Sequence, residues 1–325
     1  MKNFFRKFAA LALAGACAAP AAAQDGYPAR PIRLLVAYAS GGPTDVIARV
    51  LAQDMSATLG QTVYVENQGA ASSMVAAREI RAAAPDGYSL LFAAVGHNVN
   101  PILQRERAGY DPQKDFAPIA SVATTPLIVV TAYDAPVQTM GDLVKLIRSK
   151  PQGVTFGSSG TGGSGHLAGE LLATTLHQKM LHVPFRGTSA ALLDVMAGRV
   201  DFMFYPIVGV AEARQARKLK VLAAATAQRL PQFPDVPTMA EVGLPGFEET
   251  APWIGMLAPA GTPPAIVGRL NAAVAAALAK PQVRTRIEGM GGIPMGSSPQ
   301  EFAAYLQRDY SRWEKVIRAA GVTVD

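Results

Sequence analysis

The sequence predicts an α/β protein of two doubly wound lobes. Three observations carry this. Apolar strand-like runs alternate with helical patterns from residue 32 onward, the signature of βαβ units and a mostly parallel sheet. The 325 residues are 50% hydrophobic, enough for two ordinary domains with separate cores. A second run of the same alternation follows the first, after an apolar stretch interrupted by Pro126.

In the first lobe, 32–38 reads as a buried strand, 40–44 as a glycine-rich turn and 45–59 as a helix with Ile47, Leu51, Met55 and Leu59 on one stripe. Gly60 ends that helix. Residues 63–65 form the next strand and 72–84 the next helix, and Pro85-Asp86-Gly87 turns the chain into a strand over 88–94. The stretch 119–131 is too long for one ordinary strand and, broken by Pro126, reads as a crossing between lobes. The second lobe then runs through a helix over 139–149, a strand over 154–156, helices over 165–176 and 189–197, a strand over 200–204 and a return strand over 220–225. Beyond lie Pro-rich connections and helices near 264–279 and 299–319. The expected division is 24–125 plus 226–325 for the first lobe and 126–225 for the second.

Residues 1–23 read as a signal peptide. Lys2, Arg6 and Lys7 precede an apolar stretch over 8–19, and Ala21-Ala22-Ala23 before Gln24 has the form of a signal-peptidase site. The apolar stretch is about a dozen residues, short of the roughly 20 that a spanning helix needs. Cys17, the only cysteine, lies inside this leader behind Ala14-Gly15-Ala16, a poor lipoprotein signal. Cleavage removes three cations and no acid, so the net charge of +6 falls to +3. No Lys/Arg block remains to favour nucleic acid, and a mild positive balance fits an anionic small ligand only weakly. Without cysteine the mature chain has no disulfide, thiolate metal site or cysteine nucleophile.

Two turns share one construction, a strand running into a Gly/Ser/Thr cluster that opens a helix. The first holds Ser40, Gly41, Gly42, Thr44 and Asp45; the second holds Ser158, Ser159, Thr161, Gly162, Gly163 and Ser164. Free N–H groups and the positive dipole end at a helix start attract anions, and glycine lets backbone approach the ligand. One such turn per lobe points to a carboxylate held from two sides. Taken singly, either turn is equally well a tight turn whose helix is capped by Thr44 or Ser164.

Gly160, Gly162 and Gly165 also fit G-x-G-x-x-G, the pattern of an NAD-dependent oxidoreductase. That alternative lacks an acidic residue for the ribose in Leu181-His182-Val183-Pro184. Ser159 and Ser164 do not sit in G-x-S-x-G, no P-loop lysine follows either cluster, and His97, His166, His177 and His182 are not at metal-ligand spacing. No cofactor, metal or catalytic set is therefore expected.

Segments spread along the whole mature chain, among them YASGGPTDVIAR at 38–49, APDGYSLLFA at 84–93, KDFAPIASVA at 114–123, GHLAGELL at 165–172, HVPFRGTSAALLDVMAGRVDFMF at 182–204 and RLPQFPDVPTMAEVGLPGFE at 229–248, resemble the Bug-type receptors of tripartite tricarboxylate transporter systems. The resemblance implies a periplasmic-binding-protein (Venus-flytrap) fold. It also implies that a small organic carboxylate (mono-, di- or tricarboxylate, aromatic ones included) is captured without turnover by a monomer and delivered to membrane permease subunits. It carries the ligand contacts onto the two turns just named, with Asp45 either a contact or only an acidic helix-start residue. His97, Asn98 and Arg186, at ends of predicted strands, are second-tier contacts, though Arg186 reads slightly more readily as a surface residue. Three departures put the substrate in doubt: Gly163 where Ser or Thr is common, Tyr205 where Asp is common, and a less glycine-rich stretch over 67–73. A ligand sensor for a signalling partner is the alternative outside enzymes.

Overall fold

The sequence opens on β1 (Ile32–Val36), whose IRLLV run is buried on both faces: Ile32, Leu34 and Val36 enter one core and Leu35 another. The computed structural model describes residues 26–38, 40–41, 43–68, 73–150, 153–185, 187–207 and 210–322. The expected leader, its cleavage site before Gln24, Cys17, Gly42 and Arg186 lie outside the described residues.

From β1 the chain enters α1 (Pro43–Leu59), β2 (Val63–Asn67), α2 (Met74–Arg81), β3 (Ser89–Ala94), α3 (Gly96–Leu103), α4 (Arg105–Ala108) and β4 (Phe116–Thr124). The expected α1 stripe of Ile47, Leu51, Met55 and Leu59 is buried against β1, each side chain stabilising the fold by about 1.5–3 kcal/mol. Gly60, at φ 70°, ends the helix in the left-handed region.

The second run comprises β5 (Leu127–Ala132), α5 (Met140–Ser149), β6 (Thr155–Ser158), α6 (Ser164–Leu176), β7 (Leu181–Pro184), α7 (Thr188–Met196), β8 (Phe202–Pro206), α8 (Val210–Gln215) and β9 (Leu219–Ala225). The chain closes through a short 3-10 helix (Phe247–Thr250), β10 (Trp253–Pro259), α9 (Pro264–Ala279), α10 (Pro281–Gly289), β11 (Ile293–Pro294) and α11 (Pro299–Ala320).

A six-stranded sheet runs β11-β4-β10-β3-β1-β2 and a five-stranded sheet runs β7-β6-β8-β5-β9. The expectation of mostly parallel sheets needs correction. β1 pairs in parallel with β2 and β3, and β6 with β7 and β8, whereas β10 runs antiparallel to β3 and β4, and β5 antiparallel to β8 and β9. β10 arrives from the other sheet instead of through a crossover helix, so it enters in the opposite sense.

The chain passes between sheets at Thr125-Pro126 and returns at Ala251-Pro252. The crossings lie side by side: the Thr125 N–H (3.2 Å) and Thr124 hydroxyl (3.2 Å) both donate to the Pro252 carbonyl. Leu230, Phe233 and Val236 pack on one face of the five-stranded sheet, and Met239, Leu244 and Phe247 on the other.

The long last helix ties both halves together. Asp309 of α11 is buried and accepts hydrogen bonds from the Trp253 indole (3.0 Å), the Trp313 indole (3.0 Å), the Asn98 amide (2.9 Å) and Arg312 (2.6 Å). Trp313 and Ile317 then pack with Val95, just before α3, with Val99 of α3 and with Leu167 of α6, an apolar contact across the two halves. Among the described residues no helix is long and apolar enough to cross a membrane.

Candidate functional site

The first turn is organised around Asp45, in the first turn of α1 and 2% exposed. Its Oδ2 accepts from the Gly41 N–H (2.8 Å), Arg49 Nε (3.1 Å) and, more distantly, the Ser40 hydroxyl (3.4 Å). Its Oδ1 accepts from the Asn67 amide (2.9 Å), with Arg49 also at 3.0 Å. Burial alone would raise this carboxyl, but the hydrogen bonds from Arg49, Gly41 and Asn67 outweigh it and hold the pKa below the usual value. Asp45 and the Gly41 amide are thus occupied by one another, and Asp45 ties the turn to the end of β2. Ser40 is exposed and Thr44 half-buried. Asn67, the last residue of β2 and not among the expected contacts, is placed by the parallel pairing of β1 and β2.

The second turn is held by two histidines. Ser158, at the buried end of β6, has its Oγ 2.6 Å from His182 Nε2 and 3.0 Å from the Gly160 carbonyl, and accepts from the Gly160 N–H at 3.1 Å. The Gly162 N–H donates to His166 Nδ1 at 3.1 Å, and His166 Nε2 lies 3.5 Å from the Glu170 carboxylate. The two rings stack with centroids 3.8 Å apart, and Phe156 stacks on His182 at 5.0 Å. Burial, with His166 beside it, lowers His182 to about 3, so it stays neutral above that pH. Gly162 is therefore no free anion donor, contrary to the simplest reading of the turn. Among the described residues, the Thr161 and Ser164 amides take no part in the turn's internal hydrogen bonds. Ser159 is exposed, and Thr161, Gly163 and Ser164 are half-buried.

Glycine has a steric role at two points here. A Cβ on Gly162 (φ 79°) would lie 3.0 Å from Leu103 and 3.5 Å from Val99 and the Asn100 side chain, so the turn sits directly on α3 of the other half. A Cβ on Gly165 would lie 2.6 Å from the Phe204 carbonyl, so the start of α6 can approach β8 only without a side chain.

Asn100 lies against the second turn, beside Gly162. Its amide donates to Ser73 Oγ at 3.3 Å, and Gly96 brings the Tyr38 hydroxyl into the same cluster. Burial pushes the Tyr38 hydroxyl up to about 12, against the hydrogen bonds with Gly96 and Ser73. Tyr38 leads into the first turn and Asn100 lies beside Gly162 of the second, so this cluster links the approach to the first turn with the second.

His97 and Asn98 do not fill the role expected of them. The His97 ring is buried between Tyr110 (5.2 Å), Phe116 (4.6 Å) and Trp253 (6.4 Å) inside the first half, and this burial lowers its pKa to about 3. Asn98 is fully buried and donates to Leu306 and Asp309 of α11. The helical turn of α3 carries both into the lobe interior and leaves Asn100, two residues on from Asn98, beside Gly162 of the second turn. Tyr205 points into the core with Ile128 and Met203, opposite Phe204. Two surface cavities, of about 640 Å³ beside Tyr133 and Lys220 and about 420 Å³ along α11, lie away from both turns.

Two sheets flanked by helices, paired crossings and a helix-opening turn in each half, the second packed on α3 of the other half, define a two-lobed periplasmic-binding protein of the Venus-flytrap form. The family model of the tripartite tricarboxylate transporter family receptor, TctC, matches residues 47–322. The chain belongs to that family. It is similar to the periplasmic binding protein BugD, at 33% identity over 91% of this chain and 99% of that one, with a TM-score of 0.82. It is similar also to Rpa4515 of Rhodopseudomonas palustris, solved with adipate, at 34% identity over 91% and 99% of the two chains and a TM-score of 0.84. MatC of the same organism, solved with malate, shares 35% identity over 90% and 100%, with a TM-score of 0.81.

Proposed function

We propose that the chain is a periplasmic receptor that captures a small organic carboxylate between its lobes, without chemical turnover, and delivers it to the permease subunits of a tripartite tricarboxylate transporter. The observation that carries this reading is that each lobe has a strand–turn–helix element pinned at its helix start, by Asp45 in the first and His166 in the second, and that the second rests on α3 of the other lobe. Ser40, Gly42 and Thr44 on one side and Ser159, Thr161, Gly163 and Ser164 on the other supply the ligand contacts, with Asn100 between them. Asp45, Gly41, Ser158 and Gly162 shape the turns. The adipate and malate bound by two similar receptors support the ligand class. The packing of 230–247 supports a lobe division of 26–125 with 251–322 against 126–250. No observation favours the dinucleotide or signalling alternatives.

A thermal-shift screen tests the ligand class. An acid at a hundred times its Kd stabilises the folded state by about 2.7 kcal/mol, several degrees in Tm for a chain of this size. Malate, adipate or another small organic acid is expected to give such a shift, and NAD none. A shift with NAD and with no acid would reverse the reading.

Export is tested separately. Intact mass of the protein from a periplasmic extract is expected to show a chain beginning at Gln24. Recovery of a full-length, membrane-embedded chain would overturn the localisation.

A further inference from the structure

The second turn owes its shape to two side chains outside it. Six residues cover Ser159 to Ser164, and two of them, Gly160 and Gly162, stand at positive φ, 129° and 79°. Such a segment has many accessible conformations, and ordering it on binding would weaken affinity. Two histidine contacts restrict it: His182 Nε2 at Ser158 Oγ (2.6 Å), and His166 Nδ1 accepting from the Gly162 N–H (3.1 Å).

The nitrogen used differs between the two. His166 must keep Nδ1 unprotonated to accept the Gly162 N–H, which leaves its proton on Nε2, facing the Glu170 carboxylate at 3.5 Å. Glu170 thus fixes both tautomer and ring orientation, as a carboxylate behind a functional histidine does elsewhere. His182 uses Nε2 instead. With its proton there, Ser158 Oγ accepts from the ring and from the Gly160 N–H and donates to the Gly160 carbonyl. The stacked rings at 3.8 Å hold the two contacts as one unit, buried on Phe156.

We propose that His166 and His182 are positioning residues for ligand capture: they take up the Gly162 amide and the Ser158 hydroxyl, preset the turn, and leave the Thr161 and Ser164 amides to the anion. This rests on the carboxylate reading for what is captured, but the preset turn is a property of the ligand-free protein.

The test uses the different reach of asparagine and glutamine. The Asn side-chain amide sits where a histidine has Nδ1, and that of Gln reaches the place of Nε2. At 166, H166N therefore keeps the acceptor for Gly162 and H166Q misplaces it; at 182, H182Q keeps the contact to Ser158 and H182N loses it. All four variants retain a polar amide, so a general loss of packing does not produce the crossed pattern. Malate and adipate are titrated by calorimetry, circular dichroism checks the fold, and hydrogen exchange follows the Gly162 amide in the ligand-free protein. Expected are affinities within about threefold of wild type for H166N and H182Q, a loss of about tenfold or more for H166Q and H182N, and faster Gly162 exchange in H166Q than in H166N. Equal affinities for the Asn and Gln variants at both positions would overturn the proposal. If wild type takes up neither acid, the carboxylate reading fails for these acids, and Gly162 exchange decides the positioning role alone: unchanged exchange in H166Q overturns it.

Discussion

Asp309→Ala is expected to lower the unfolding free energy by about 3–5 kcal/mol, the range for removing one partner of a buried, fully engaged charge. Four donors from three elements converge on this carboxylate, and an alanine leaves two indole N–H groups, the Asn98 amide and Arg312 without their acceptor. Urea denaturation monitored by tryptophan fluorescence measures the loss. Burial raises the Asp309 carboxyl above its usual value, and the lowering effects of Arg312, Asn98 and the two indoles do not cancel it. The sign of the pH effect follows. A raised acid contributes stability that is present below the unfolded pKa and lost as the pH rises through the folded one, and the alanine variant lacks that contribution. A variant as stable as wild type would show that the four contacts contribute nothing net.

Asp45→Ala is expected to weaken acid capture by about one to two orders of magnitude while costing about 1–3 kcal/mol of stability. The turn loses the acceptor for the Gly41 N–H, the Asn67 amide and Arg49 together, and ordering it then opposes binding. The pH dependence has the opposite sign to that of Asp309. The Asp45 pKa is lowered, so its stabilisation is present above the unfolded carboxylate value and disappears as the pH falls through the folded one. Calorimetric titration with the acid giving the largest thermal shift, alongside urea denaturation across acidic pH, separates the two effects. Undiminished affinity in a folded Asp45→Ala protein would remove the first turn from the site.

The alternation of strand and helix, the α1 stripe, the crossing at Pro126 and both glycine-rich turns were legible because each is written in local periodicity or local turn chemistry. β10 was not. Its WIGMLAP run is buried at every position, has prolines at and beside its ends, and pairs with β3 and β4, more than a hundred residues earlier in the chain. No local pattern separates such a run from a connection. α3 was missed for a related reason: Pro101 lies inside it, and an eight-residue helix buried over six positions shows no polar face. That omission displaced the expected contact from Asn100 to His97 and Asn98. The roles of Gly41 and Gly162 were read as free amides because a sequence shows a donor but not the acceptor that has already taken it. The acceptors here are Asp45, four residues on, and His166, four residues on, each set by the first turn of its own helix.

The paired crossings at Thr125 and Pro252 have a kinematic consequence. Two rigid bodies have six relative degrees of freedom, three of translation and three of rotation. Two short crossings bonded side by side remove the translations and resist twist, because one crossing would have to lengthen while the other shortened. Bending about the line of the two crossings is the motion they restrain least, the hinge motion of two-lobed receptors. Entry and escape then share one coordinate. On the proposed reading a captured acid leaves at a rate bounded by that rotation, and a substitution that stiffens the line is expected to slow arrival and departure together without touching the acid.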